Sequence, residues 1–281
     1  MANMNIYELK EKKPYLDYLR LDKLPHIWCP GCGHGIVMKA LIEAFYNLKL
    51  DKNKLSVVSG IGCSSRLPGY IDANTLHTTH GRALAFATGV KLANPELTVV
   101  TVTGDGDCAA IGGNHWIHAA RRNIDITVIL MNNNIYGMTG GQASPTTPEG
   151  AIATTAPYGS IEPNFDTCEL AKAAGASFVA RTTVYHYKQL IDLIEKGIKH
   201  KGLSFIEVIS PCPIHYGRKN KLGLKGLYDY LKTNFIPIKA WDKLPEEKKA
   251  GKFPIGLLYH DDSREEYCEK YEKLIEKLSQ N

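Results

Sequence analysis

No uninterrupted apolar stretch of eighteen residues exists in this sequence, so none of it reads as a membrane-spanning helix. The first ten residues, Met1 to Lys10, lack the apolar centre of a secretory signal, and a cytoplasmic location is the expectation. Internal repeats and low-complexity tracts are absent. Strong charge of one sign is also missing. The net charge of +5 is spread out, with much of it after residue 217. Such runs are usually solvated faces, and no nucleic-acid motif accompanies them; the slight basic bias would suit an acidic electron carrier. The seven cysteines are odd in number, which argues against a disulfide framework and for metal or redox use. What remains is 281 residues with 44% apolar content, enough for a globular core in one large domain or two small ones.

The most informative stretch runs from Leu97 to Gly141. Thr98 to Val102 is a β-branched run of the kind that makes a strand buried on both faces. It ends in Gly104-Asp105-Gly106-Asp107. A helix is expected from about Ile111 to Arg122, then a second strand from Ile126 to Met131, closed by Asn132-Asn133-Asn134. Strand, helix, strand reads as a right-handed crossover in a parallel sheet, and ligands of such sheets collect beyond the carboxyl ends of the strands. Asp105, between glycines that let backbone approach a ligand, offers a hard anionic oxygen. Asn133 offers a neutral amide oxygen at the end of the next strand. Two such oxygens, a backbone carbonyl and a ligand's phosphates make a shell suited to Mg²⁺, so the stretch reads as a metal-bridged diphosphate site. Two other readings compete. Gly104-x-Gly106-x-x-Ala109 fits a dinucleotide fingerprint, but that motif wants an acid where this chain has asparagines. A glycine-rich turn with a capping aspartate is the plainer alternative.

Around this unit, residues 1–27 read as a charged, tyrosine-rich arm, 28–212 as the α/β domain and 213–281 as a carboxyl-terminal extension. Within the domain, helices are expected at Ile36–Leu48, Ala83–Leu92, Asp166–Ala174 (capped by Asp166) and Tyr187–His200. Further strands are expected at Leu55–Ser59, Phe178–Arg181 and Ser204–Ile209. The fold class is therefore an open, mostly parallel α/β sheet with helices on both faces. Residues 142–164 form a long loop rich in Pro, Thr and Gly, a lid or partner surface. The chain closes in an amphipathic helix with Tyr267, Tyr271, Leu274 and Leu278 on one face.

Cys29, Cys32, Cys63 and Cys212 each lie in a turn rich in Gly, Pro or Ser. Four thiolates from three segments suit either a [4Fe–4S] cluster or a zinc ion, and spacing alone leaves the two level. A Cys-x-x-Cys redox pair at Cys29 and Cys32 competes, although no strand precedes it. Cys108, Cys168 and Cys268 read as buried apolar side chains. His115 and His118 sit three apart on the expected helix with no carboxylate to complete a metal set, and packing explains them.

Gly104-Asp105-Gly106 followed by Asn132-Asn133 resembles the motif of thiamine-diphosphate enzymes. With the four cysteines, nearly the whole chain resembles the β subunits of the 2-oxoacid:ferredoxin oxidoreductases, most of all the 2-oxoglutarate branch. The resemblance implies the diphosphate-binding fold, thiamine diphosphate, Mg²⁺ and a [4Fe–4S] cluster on Cys29, Cys32, Cys63 and Cys212. It implies Mg²⁺ on Asp105, Asn133 and the Ile135 carbonyl, with Gly104, Gly106, Asp107, Gly137 and Met138 lining the cofactor. Ile61, Gly62, Cys63, Ser64 and His80 would approach from neighbouring loops. His80 has a competing reading as a histidine satisfied at a helix start. Arg66 or Arg82 could meet a substrate carboxylate or a coenzyme A phosphate, or could be a surface ion-pair member. The implied reaction is oxidative decarboxylation of a 2-oxoacid with coenzyme A and ferredoxin. A pyrimidine-binding domain and its carboxylate are missing from this chain, so the resemblance places them on an α subunit and leaves room for small γ and δ subunits. Neither nucleic acid nor membrane is an expected partner.

Overall fold

The computed structural model describes residues 10–280; the first nine residues of the expected arm lie outside them. One sheet of eight strands organises everything else: β1 (Leu55–Ser59), β2 (Asn74–His77), β3 (Thr98–Gly104), β4 (Thr127–Asn132), β5 (Phe178–Thr183), β6 (Ser204–Ile209), β7 (Phe235–Pro237) and β8 (Phe253–His260). Their spatial order is β2-β1-β3-β4-β6-β5-β8-β7. Every neighbouring pair is parallel except β5 and β8. The β-branched runs form the central strands because both their faces are covered. In β1, Val57 packs into one core and its neighbour Val58 into the other.

Helices α1 (His34–Asn47) and α2 (Ala83–Ala93) follow the first turns, α3 (Gly113–Arg122) lies between β3 and β4, and α4 (Thr167–Ala174) and α5 (Tyr187–Lys199) flank β5. α1 and α5 share the first core with Val57, Val102, Ile129 and Val208; α2, α3 and α4 share the second with Val58, Val128, Leu130 and Phe205. Trp116 of α3 stacks on Phe205 of β6 with ring centroids 5.0 Å apart, fixing α3 over the sheet. α4 begins as its sequence indicates, with the Asp166 carboxylate accepting from the Cys168 and Glu169 amides.

The expected helix from Ile111 is preceded by a π-helical turn, Gly106–Ala110, that the sequence pattern does not announce. Three strands were also not anticipated. β2 is a short, largely exposed edge, and β7 and β8 contain Pro237, Pro254 and Gly256, which weaken the strand signal in sequence, although only β7 of these two lies at the sheet edge. Residues 213–281 thus contribute β7 and β8 to the same sheet, together with α6 (Leu224–Asn234), α7 (Ile238–Trp241) and α8 (Tyr267–Ser279). In α8 only Cys268 is buried; Tyr271, Leu274 and Leu278 of the amphipathic face are open to solvent. Among the described residues no helix is long and apolar enough to cross a membrane.

Candidate functional site

The carboxyl ends of β1, β3, β4 and β6 release the segments that build the site: Gly60–Ser64, Gly104–Asp107, Asn132–Met138 and Ser210–Cys212. A cleft of about 520 Å³, counting its open mouth, lies among the first three. Its lining includes Ile61, Gly62, Cys63, Ser64, His80, Gly104, Asp105, Gly106, Asp107, Asn133, Ile135, Gly137 and Met138, which are all the cofactor residues expected from sequence. His34, Met131, Tyr136 and Thr139 complete it. Gly62 has φ of +128°, which a side chain would strain, and its open face borders the cleft. Arg66 is not among the lining residues; it is exposed on the turn after Cys63. Arg82 donates to the Ile111 carbonyl at 3.1 Å and ties the start of α2 to the turn before α3.

Asp105 is 2% exposed. Its Oδ2 accepts from Ser144 Oγ at 2.5 Å and Thr146 Oγ1 at 2.8 Å. Burial raises its carboxyl above the usual value, opposed by those hydroxyls and by backbone N–H groups. Ser144, Thr146 and Thr147 are buried, so the start of the long loop forms a wall of the site. Farther along the same loop, Tyr158 and Ile161 stand in solvent. Asn133 Oδ1 accepts from the Ile135 amide at 3.3 Å, which shapes the turn that presents the Ile135 carbonyl.

Asp107 plays a different part from Asp105. Its Oδ1 accepts from the Ile61 amide (3.1 Å), the Gly81 amide (2.7 Å) and His80 Nδ1 (2.5 Å), and its Oδ2 accepts from Thr103 Oγ1 (2.8 Å). The Asp107 carboxylate lines the cleft and is at the same time held by four donors of the protein. It joins the loops after β1 and β2 to the turn after β3, and leaves His80 Nε2 as the ring nitrogen for a ligand. Gly106 lines the cleft and has a second role. A Cβ there would lie 2.2 Å from the Tyr136 ring, so the glycine makes room for Tyr136, whose hydroxyl donates to the Gly106 carbonyl at 3.2 Å. Tyr136 carries no motif signal, and only its place after Asn133 could have suggested it.

A buried polar chain backs the site and was also missed. Thr146 Oγ1 lies 2.9 Å from Asn132 Oδ1, Asn132 Nδ2 donates to Glu207 at 2.8 Å, and Arg181 joins Glu207 to Asp166. Alternating strand positions hide such a chain, because Glu207 and Arg181 sit in runs that otherwise read as apolar.

Behind the cleft lie the four thiols. Cys32 feels Cys29, Cys63 and Cys212 electrostatically, and burial pushes its thiol up to about 12; Cys63 is pushed up to about 11 by the same cause. Cys63 also lines the cleft, and Gly137 packs close to two of the thiols: a Cβ on it would sit 3.5 Å from Cys63 Sγ and 3.7 Å from Cys212 Sγ. The Cys63 carbonyl accepts from Trp28 Nε1 at 2.7 Å, so the segment before α1 closes over the loop. His34, buried with Nδ1 2.8 Å from Ser210 Oγ, has its pKa lowered to about 4 by burial and is neutral. Cys108, Cys168 and Cys268 are buried in the second core, as their surroundings in sequence suggested. His115 and His118 lie on α3, outside the cleft lining.

Residues 60–208 match the family described as the thiamine pyrophosphate enzyme C-terminal TPP-binding domain. The chain is 53% identical to 2-oxoglutarate synthase subunit KorB of Methanothermobacter marburgensis, over 98% of this chain and 95% of that protein. It is 55% identical to the subunit of the same name from Methanocaldococcus jannaschii, over 94% and 98%. Identity to the 2-oxoacid:ferredoxin oxidoreductase subunit beta of Saccharolobus solfataricus is 42%, over 90% and 86%. Among solved structures, the 2-oxoglutarate:ferredoxin oxidoreductase from Magnetococcus marinus, with 2-oxoglutarate, coenzyme A and succinyl-CoA bound, superposes with a TM-score of 0.84. That match has 34% identity and covers 99% of this chain and 92% of that one.

The Asp107 hub gives a direct test. Asp107→Asn replaces one acceptor oxygen by an NH₂ group among donors, and should cost about 2–4 kcal/mol of stability. Thermal or urea unfolding of the variant measures this, and a melting curve unchanged from the parent would refute the hub.

Proposed function

Since the chain belongs to the β subunits of the 2-oxoacid:ferredoxin oxidoreductases, oxidoreductases that act with partner subunits, we propose that it holds thiamine diphosphate through Mg²⁺ and carries a [4Fe–4S] cluster. In this role it serves the oxidation of 2-oxoglutarate by ferredoxin with coenzyme A. The observation that carries the reading is Asp105: a buried carboxylate held by hydroxyls and amides that, among the described residues, is in no ion pair. A divalent ion supplies the missing charge. Asp105, Asn133 and the Ile135 carbonyl offer hard oxygens only, as Mg²⁺ prefers, and leave its other positions for phosphate.

When bound, thiamine diphosphate supplies the electron sink for breaking the bond to the 2-oxoacid's carboxyl group. The chain's own residues do the rest. Ile61–Ser64, Gly104, Gly106, Gly137 and Met138 shape the cleft, and His80, oriented by Asp107, presents Nε2. Cys29, Cys32, Cys63 and Cys212 are the cluster ligands. Their spread supports iron–sulfur over zinc, because thiolates on one tetrahedral zinc lie about 3.8 Å apart. Among the described residues no three cysteine sulfurs come within 4.8 Å of one another. A cubane takes one thiolate at each of four separate corners. Because Cys63 lines the cleft, a cluster on these thiols would sit beside the cofactor, a short path for electrons outward toward ferredoxin.

Among the described residues no lysine or arginine lines the cleft. We therefore assign recognition of the distal carboxylate of 2-oxoglutarate, and the carboxylate that activates the aminopyrimidine, to the α subunit.

The pH response of the cofactor-free protein follows from Asp105. Its raised pKa means that stability present below the ordinary carboxylate value of about 3.9 is lost as pH rises through the higher folded value. Asp105→Asn should therefore melt no lower than the parent at pH 7 without Mg²⁺, while losing all stabilisation by Mg²⁺ with thiamine diphosphate. Melting with and without the pair of ligands reads both. For the thiols, Cys212→Ser should lower bound iron and bleach the broad visible absorbance, and an unchanged spectrum would remove Cys212 from the ligand set. Activity tests the whole reading. The purified complex should reduce a low-potential acceptor with 2-oxoglutarate in preference to pyruvate or 2-oxoisovalerate, and the reconstituted β chain alone should not turn over.

A further inference from the structure

On the rim of the sheet away from the cleft, three side chains converge that the catalytic reading does not use. His200 follows α5, His260 ends β8 and Asp262 lies just beyond it. The registers Phe178↔Ser204 and Phe178↔His260 place the group at the amino ends of β5 and β6. Among the described residues this is the one set of three or more His, Cys, Asp or Glu ligand atoms lying within 4.8 Å of one another.

The distances have the scale of a coordination sphere. His200 Nδ1 is 3.3 Å from His260 Nε2 and 3.6 Å from Asp262 Oδ1, and His260 Nε2 is 2.9 Å from the same oxygen. Ligand atoms held at 2.0–2.1 Å by a tetrahedral zinc ion lie about 3.3 Å apart. The tautomer of His200 is also set. Ser177 Oγ donates to Asn123 Oδ1 at 2.7 Å, so toward His200 Nε2, 2.6 Å away, it can only accept. Nε2 therefore carries the proton of the neutral ring, and the Nδ1 lone pair points at His260 and Asp262. This is the outer-sphere arrangement that orients metal-binding histidines. Phe178 packs against both imidazoles, with centroids 5.6 and 5.7 Å away, and restrains their planes. The Asp261 amide donates to the Ser177 carbonyl at 2.8 Å, which anchors the segment carrying Asp262.

We propose that His200 Nδ1, His260 Nε2 and an Asp262 oxygen form a binding site for a divalent transition-metal ion of the zinc class. Water fills the open position on the side of Asp262, which is 79% exposed. The ion joins the end of β8 to the end of α5, and so clips the carboxyl-terminal segment to the sheet. Two nitrogens and one carboxylate favour zinc, nickel or cobalt over magnesium, which prefers oxygen.

The test is calorimetric titration of Zn²⁺ into the iron-loaded complex, where the thiols are engaged. The intact complex should bind one more equivalent per β chain than His260→Ala or Asp262→Ala, both at partly or largely exposed positions. Ser177→Ala should keep the site but weaken it by about 10- to 100-fold. X-ray absorption of the bound zinc should show a nitrogen and oxygen shell at about 2.0–2.1 Å. Equal stoichiometry and affinity in the parent and the variants would overturn the proposal, as would a sulfur shell. Turnover of the complex should not change in Asp262→Ala, since the site lies at the rim opposite the cleft.

Discussion

The active half of the molecule depends on where one carboxylate spends its hydrogen bonds. Asp107 gathers donors from the loops after β1 and β2 and from Thr103 at the end of β3. Without it the strand ends would deliver three independent loops. With it, the loop that carries Cys63, the histidine at the start of the next helix and the turn that carries Asp105 become one body. Because the group is buried, each bond to it is worth more than the same bond in water, and the penalty for leaving any donor unmatched is correspondingly larger.

Division of labour between neighbouring acids follows from this. Asp105 and Asp107 are two residues apart and both buried, yet Asp107 accepts from two backbone amides, a histidine and a threonine, whereas Oδ2 of Asp105 is held by Ser144 and Thr146. The same turn thus builds a scaffold and a binding site from identical side chains. Ser144 and Thr146 bind the long loop to Asp105, so that loop and ligand site share one floor. On the far side, the Asn132–Glu207–Arg181 chain carries the arrangement into the sheet interior, where removing one member would strand the others without solvent.

Much of this was legible in the residues. The β-branched runs, the glycine–aspartate turn, the asparagines and the cysteines in Gly/Pro turns all carry local signals, and the structure brings the expected lining residues into one cleft. Roles were harder to read than positions. Nothing in Gly-Asp-Gly-Asp says which aspartate ties the loops together, because that is decided by residues 26 to 46 positions upstream. Gly106 lines the cleft as expected and also makes space for Tyr136, a long-range contact with no periodic trace. β7 and β8 were invisible because proline and glycine within a strand mimic loops. His200, His260 and Asp262 meet only because β8 runs antiparallel to β5, a pairing that sequence spacing does not encode.

That pairing has a consequence during synthesis. β5 gains its neighbour β6 soon after it is made, but its other side stays bare until the chain has been completed as far as His260. At about 5–20 residues per second, several seconds pass with a row of amides and carbonyls unprotected beside the buried arginine. Throughout that window the nascent chain offers a ready template for mispairing. The last strand to emerge from the ribosome is the one that ends the hazard.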